Sequence, residues 1–216
     1  MKIIVTSFFL SIILCSAFAQ QDPEAKKILD QFSKKSKAYT AFKADFTITM
    51  ENHQSGEKTE NSGNILLKGN KYKMQINNSE IYFDGKDVYS FTRESNEVSI
   101  MKPNKNKDDN FLNDPSKLFN IYTKDYKFRL LGETNENNHN CYEIDLYPID
   151  LNKKYSIIKL LIDKDKLELI SAKTIMKSGV HYILKITSFN NNAVAIDKDF
   201  SFDIKAHKGV EVVDMR

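Results

Sequence analysis

The sequence predicts a mainly β (α+β) protein, a single curled antiparallel sheet of about eleven strands with little helix. Three observations predict it. After one helix-period segment, the apolar spacing changes to two and keeps that period almost to the end. No strand–helix–strand alternation and no repeat of fixed length interrupts it. A sheet of that many twisted strands rarely stays open and flat, so it is expected to curl. Residues 66–76 show the pattern in miniature. Leu66 and Leu67 lead through Lys68 into a Gly69-Asn70 turn, and Tyr72, Met74 and Ile76 then alternate with Lys71, Lys73 and Gln75. One face is apolar and the other charged, so this sheet shields either its own core or a guest.

The elements follow in order. Asp22 suits a helix N-cap and Pro23 the first helical position, and Ala25, Ile28, Leu29, Phe32, Ser36 and Tyr39 recur at three- and four-residue spacing. Lys34, Lys35 and Lys37 fall where positive charge complements the helix dipole. Phe42, Ala44, Phe46, Ile48 and Met50 then form one face of a long strand over 42–51. A polar turn over 53–61 separates it from strands at 62–68 and 71–77, followed by 80–83. Asp84-Gly85 is a two-residue hairpin signal leading to 86–91, and 97–101 adds a short strand. Residues 102–113 break the pattern, and Asp114-Pro115 starts a second, short helix carrying Leu118, Phe119, Ile121 and Tyr122. Strand periodicity resumes at Tyr126, Phe128 and Leu130, and continues through 142–146, 157–162, 167–176 and 180–189 to a last strand at 210–213.

Composition and leader bound the function. Lys2, the apolar run over 3–14 and Ala17-Phe18-Ala19 read as a signal peptide cut after Ala19, leaving one exported domain over 20–216. Cys15 follows Leu14 rather than a small residue, which argues against lipidation. Lys2 is the single charged residue of this leader, so its loss lowers the formal net charge of +3 by one. Such a balance offers nothing to nucleic acid. Cys141 is then alone, and no internal disulfide can form. No nucleophile elbow is present, and His53, His139, His181 and His207 lack the spacing of a helical metal site, so neither a catalytic constellation, a metal nor a cofactor is expected. His181 reads as structural or surface. Asp84, Asp87, Asp108 and Asp109 read as turn and loop residues, and Cys141 as a small strand residue.

Taken together, these pieces resemble the periplasmic outer-membrane lipoprotein carrier (LolA) family over nearly the whole mature chain. The likeness rests on the N-terminal helix before Phe42-Lys43-Ala44-Asp45-Phe46 and on Lys68-Gly69-Asn70-Lys71-Tyr72-Lys73-Met74. It also includes Asp84-Gly85-Lys86-Asp87-Val88-Tyr89, Asp114-Pro115-Ser116-Lys117-Leu118-Phe119 and Gly209-Val210-Glu211-Val212-Val213-Asp214. The resemblance implies an incomplete antiparallel β-barrel whose concave apolar face binds lipoprotein acyl chains under a helical lid. The lining expected is Phe46, Ile48, Met50, Tyr72, Met74, Ile76, Phe91 and Ile100, with Phe111, Leu112, Leu118, Phe119 and Tyr122 as the lid. The partners implied are acylated lipoproteins, an inner-membrane release complex and an outer-membrane acceptor or membrane surface, served by a monomer. Lys68 stands where the family carries a lid-locking arginine and keeps its charge without the planar fork. Met74 replaces a tryptophan and Gly69 a proline. A sensor or regulatory domain of the same fold, binding a partner protein or another lipid, is the alternative.

Overall fold

The computed structural model describes residues 22–103, Pro115 and 125–216. The expected signal peptide and the five lid residues lie outside these. A helix, α1 (Pro23–Ala38), precedes twelve strands: β1 (Phe42–Asn52), β2 (Lys58–Lys68), β3 (Lys71–Ile76), β4 (Ser79–Phe83), β5 (Val88–Thr92), β6 (Glu97–Met101), β7 (Tyr126–Glu136), β8 (His139–Pro148), β9 (Tyr155–Asp163), β10 (Leu169–Met176), β11 (Val180–Asn190) and β12 (Glu211–Asp214). They form one sheet in the order β12-β6-β5-β4-β3-β2-β1-β11-β10-β9-β8-β7. The topology is two hairpin runs. One grows outward from β1 to β6; the other starts at the far edge with β7 and returns inward until β11 pairs antiparallel with β1. The β1–β11 ladder is therefore the seam between the halves. All pairings are antiparallel except β12 with β6, which is parallel.

The helix starts where expected. The Asp22 carboxylate accepts from the backbone N–H groups of Glu24 and Ala25, and its second oxygen accepts from Leu130 N–H of β7 at 3.0 Å. One residue thus caps α1 and fixes it to the edge of the sheet. At the other end Lys35 lies 3.7 Å from Glu168, before β10. Between these ties α1 crosses the β7–β10 half and buries Ala25, Ile28, Leu29 and Phe32 in the main core.

Cross-strand pairing shows that this core lies on one face throughout. Phe42 pairs with Leu67, Leu67 with Tyr72 and Tyr72 with Phe83, while Ala44 pairs with Ile65, Ile65 with Met74 and Met74 with Ile81. Across the seam the same face continues through Leu184, Ala172, Leu160 and Ile144. The opposite face has its own smaller core, Tyr82, Phe91, Val98 and Phe202. It forms because residues 191–210 leave β11 at the middle of the sheet, pass over β3 with a 3-10 turn (Asp197–Phe200), and deliver β12 to the edge beside β6. Phe202 on this strap meets Phe91 at 4.8 Å and His207 at 4.3 Å between ring centroids.

Three expectations need correcting. The polar stretch over 53–61 is only partly a turn: β2 begins at Lys58, because the long β1 supplies ladder partners for Thr59 and Asn61 opposite Met50 and Ile48. Asp84-Gly85 lies within a four-residue connection, since the Asp84 side chain accepts from the N–H groups of both Lys86 and Asp87 and holds the strands apart until Val88. β10 starts at Leu169, after Leu167 has taken a left-handed conformation (φ 47°).

Candidate binding site on the helix-bearing face

The face carrying α1 is apolar from β7 across the seam to β4, but its cover is uneven. Under α1, Tyr126, Ile144, Leu146, Tyr155, Ile158, Leu160 and Ile162 are buried almost completely, and the Tyr126 and Tyr155 hydroxyls hydrogen-bond to each other. Beyond the seam, Phe46, Tyr72 and Met74 are buried, whereas Ile48, Met50, Ile76, Ile81 and Phe83 on the same face are only half-buried. An aromatic group of Tyr39, Phe42 and Phe189, with centroids 5.3–6.4 Å apart, closes the end near the helix C-terminus.

Phe46 owes its position to a missing side chain. A Cβ on Gly63, its partner across β1–β2, would stand 2.8 Å from the Phe46 ring and 2.4 Å from the Gln75 carbonyl oxygen. The glycine lets the ring settle against β2, and a large apolar group then sits at the centre of the less-covered half. At its far rim the face turns polar, where Asn77 donates to Asn61 at 2.7 Å.

Of the eight residues expected to line the site, six share this face: Phe46, Ile48, Met50, Tyr72, Met74 and Ile76. Phe91 and Ile100 do not. Ile81 pairs with Ser90 and Phe83 with Val88, so Phe91 points away with Tyr82 and Val98; Ile100, partner of Tyr89, does the same. The strap residue Phe202 supplies the apolar environment they need. Ile81, Phe83 and Val88 occupy the helix-bearing face, as does Met101, whose thioether suits a lining position. Counting residues through the Asn77-Asn78 turn, which pairs Ile76 with Ser79, places Ile81 and Phe83 there from sequence alone.

The lid that Lys68 was expected to lock lies outside the described residues, and among these Lys68 bonds elsewhere. Its ammonium donates to the Ala195 carbonyl (3.3 Å) and to Asp197 (3.2 Å), and Lys71 joins it on Asp197 at 3.0 Å. Those partners belong to the strap, on the side of the sheet opposite α1. Lys71 and then Lys68 hold the Asp197 carboxyl below its ordinary value. Nearby, burial works to raise Glu80, but hydrogen bonds from Tyr82 and Arg93 and the charges of Lys73 and Arg93 outweigh it and keep the carboxyl low. Cys141 is buried, and burial raises its thiol, which suits an inert strand residue. The histidines, dispersed in sequence, are not all dispersed in space: His53 and His181 meet at 4.1 Å between ring centroids.

Among the described residues no helix is long and apolar enough to cross a membrane. No curated protein matches the chain. Its fold is similar to that of an uncharacterized conserved protein from Thermus thermophilus, at 14% identity and TM-score 0.60, covering 88% of this chain and 99% of that one. A DUF1329 family protein from Desulfovibrio piger is similar at 13% identity and TM-score 0.51, covering 86% and 98%. A LolA superfamily protein from Nitrosomonas europaea shows 16% identity and TM-score 0.43, covering 82% and 97%. The family model described as outer membrane lipoprotein carrier protein LolA matches residues 15–180. An open twelve-stranded sheet with one helix laid on its apolar face, matched by that model over most of its length, makes this chain a member of the LolA family.

Proposed function

We propose that this protein is a periplasmic carrier that binds the acyl chains of lipoproteins on its helix-bearing face and escorts them from the inner to the outer membrane. The single observation that carries the reading is the uneven cover of one continuous apolar face: dense core beneath α1, half-buried Ile48, Met50, Ile76, Ile81 and Phe83 beyond the seam. Met50, Met74 and Met101 share that side, and flexible thioethers adapt to an irregular guest. At about 0.8 kcal/mol per methylene, a long acyl chain costs roughly 10 kcal/mol to hold in water, so it needs an escort. Delivery in turn follows the difference in affinity between donor, carrier and acceptor, and a partly open face favours release. Residues 1–19 serve as the export signal and 20–216 as the carrier domain. No bond is made or broken on the cargo.

A second reading is a partner-binding regulatory domain. The strap and the residues after β12 favour it, since Val194 (92% exposed), Ile196 (60%) and Met215 (56%) present apolar side chains to solvent. The test separating the two incubates the mature protein with membranes bearing an acylated lipoprotein. A carrier releases a soluble complex and loses that capacity when Ile76 becomes Glu. Extraction that fails for the wild type while a protein partner binds the strap supports the regulatory domain.

A further inference from the structure

One polar cluster lies off the proposed acyl-binding face. It lies on the side opposite α1, where the β1–β2 turn meets the β10–β11 turn. Glu51 of β1 and His181 of β11 are partners across the seam, so their side chains leave the same face. His53 follows in the turn, and its backbone N–H donates to the Gly179 carbonyl at 3.1 Å, fixing it beside the start of β11. Asn52 shapes that turn by accepting from the N–H groups of Gln54 (2.9 Å) and Ser55 (3.2 Å). A Glu51 carboxylate oxygen lies 4.0 Å from His53 Nε2, and one donor atom from each of the three residues lies within 4.8 Å of the others. The Nδ1 of His181 is buried without a hydrogen-bond partner. Buried imidazole nitrogens ordinarily have one, and a metal ion would serve.

We propose that Glu51, His53 and His181 form a site for a divalent first-row transition ion of the zinc class. Two imidazoles and a carboxylate are a donor set that such ions accept, with the remaining position left to water or a further donor. Donors around a tetrahedral zinc stand about 3.3 Å apart, so these must draw together by up to about 1.5 Å. His53 can supply that movement, because its side chain is 56% exposed. Two cations oppose the ion: Lys58 and Lys173 lie 3.2 and 3.9 Å from the Glu51 carboxylate. Lys58 holds Oε1, and its side chain is 62% exposed and free to swing into water; Oε2, the oxygen beside His53, has only the longer contact with Lys173 to give up. The lysines weaken the affinity by like-charge repulsion. The bound ion clips the end of β1 and the turn after it to the start of β11, across the seam that joins the two halves of the sheet.

The test titrates untagged mature protein with Zn²⁺ against a chromophoric chelator and follows Co²⁺ substitution by visible absorption. The expected result is one ion per chain with micromolar Kd, and a thermal midpoint that rises with Zn²⁺ concentration. His53→Gln, at an exposed turn position, weakens binding at least tenfold, as does His181→Gln. Lys58→Ala tightens it. His139→Gln leaves it unchanged, because His139 is already engaged by Asp163 at 2.7 Å. The wild-type titration needs no variant: absence of saturable Zn²⁺ binding below the millimolar range overturns the site. So does binding indifferent to both His53→Gln and His181→Gln.

Discussion

Replacing Ile76 with Glu should separate acyl binding from folding. Ile76 sits on the helix-bearing face opposite Gly63 and Ser79, half-buried in the less-covered half of the sheet. A carboxylate there can still reach water, so the expected loss of stability is modest, about 1–2 kcal/mol, as for a partly buried polar substitution. A guest acyl chain cannot lie against an ionised carboxylate. If three or four methylenes lose their apolar contact at about 0.8 kcal/mol each, binding weakens by about 3 kcal/mol, or roughly 100-fold. Phe91→Ala is the control on the other face. Phe91 is 5% exposed and packs on Phe202, so its truncation should cost about 3–5 kcal/mol of stability and leave acyl affinity of the folded protein unchanged. The assay pairs denaturant unfolding with titration of a fluorescent fatty-acyl probe. Equal probe binding by wild type and Ile76→Glu would refute the face assignment, as would a Phe91→Ala defect persisting at full folding.

The other predictions concern the devices that hold the sheet in shape. Gly63→Ala forces its new methyl group into the Phe46 ring and the Gln75 carbonyl, and should destabilise by about 2 kcal/mol, lowering the thermal midpoint by roughly 4–8 °C. Asp22→Ala removes both the helix cap and the acceptor for Leu130 N–H; a loss of about 1–2 kcal/mol and faster amide exchange at 24, 25 and 130 should follow. Lys68→Ala should speed amide exchange within 195–200 while leaving acyl affinity intact, because its partners are Ala195 and Asp197. Glu80 has a lowered carboxyl, so its contribution to stability is complete above its ordinary value of 4.5 and fades as the pH falls below it. Glu80→Gln should therefore flatten acid unfolding below that pH and leave its onset elsewhere unchanged.

Local chemistry was the legible part. Asp22-Pro23 marked the start of α1, period-two alternation marked most strands, and both follow from neighbours in sequence. The tie from Asp22 to Leu130 was not legible, since nothing local announces a contact across 108 residues. The faces of β5 and β6 were misjudged for a specific reason. Phe91 and Ile100 are large and apolar, and a sheet with one apolar side would turn them toward α1. The strap gives this sheet a second apolar side, so size no longer indicates direction. Parity counted through the turns did carry the answer. Lys68 shows the limit of resemblance: its position matched the family pattern, yet its bonds are set by where residues 195–197 cross the sheet. Glu51 and His181 became neighbours only once β11 had paired with β1, a closure that no motif encodes.

Native mass spectrometry of the exported protein, purified without detergent, tests the central claim most directly. A carrier using its helix-bearing face should retain acyl-bearing cargo at a fixed ratio per chain, and the Ile76→Glu protein, folded and exported alike, should emerge without it. Wild-type protein free of acyl chains, or cargo retained equally by Ile76→Glu, would contradict the account.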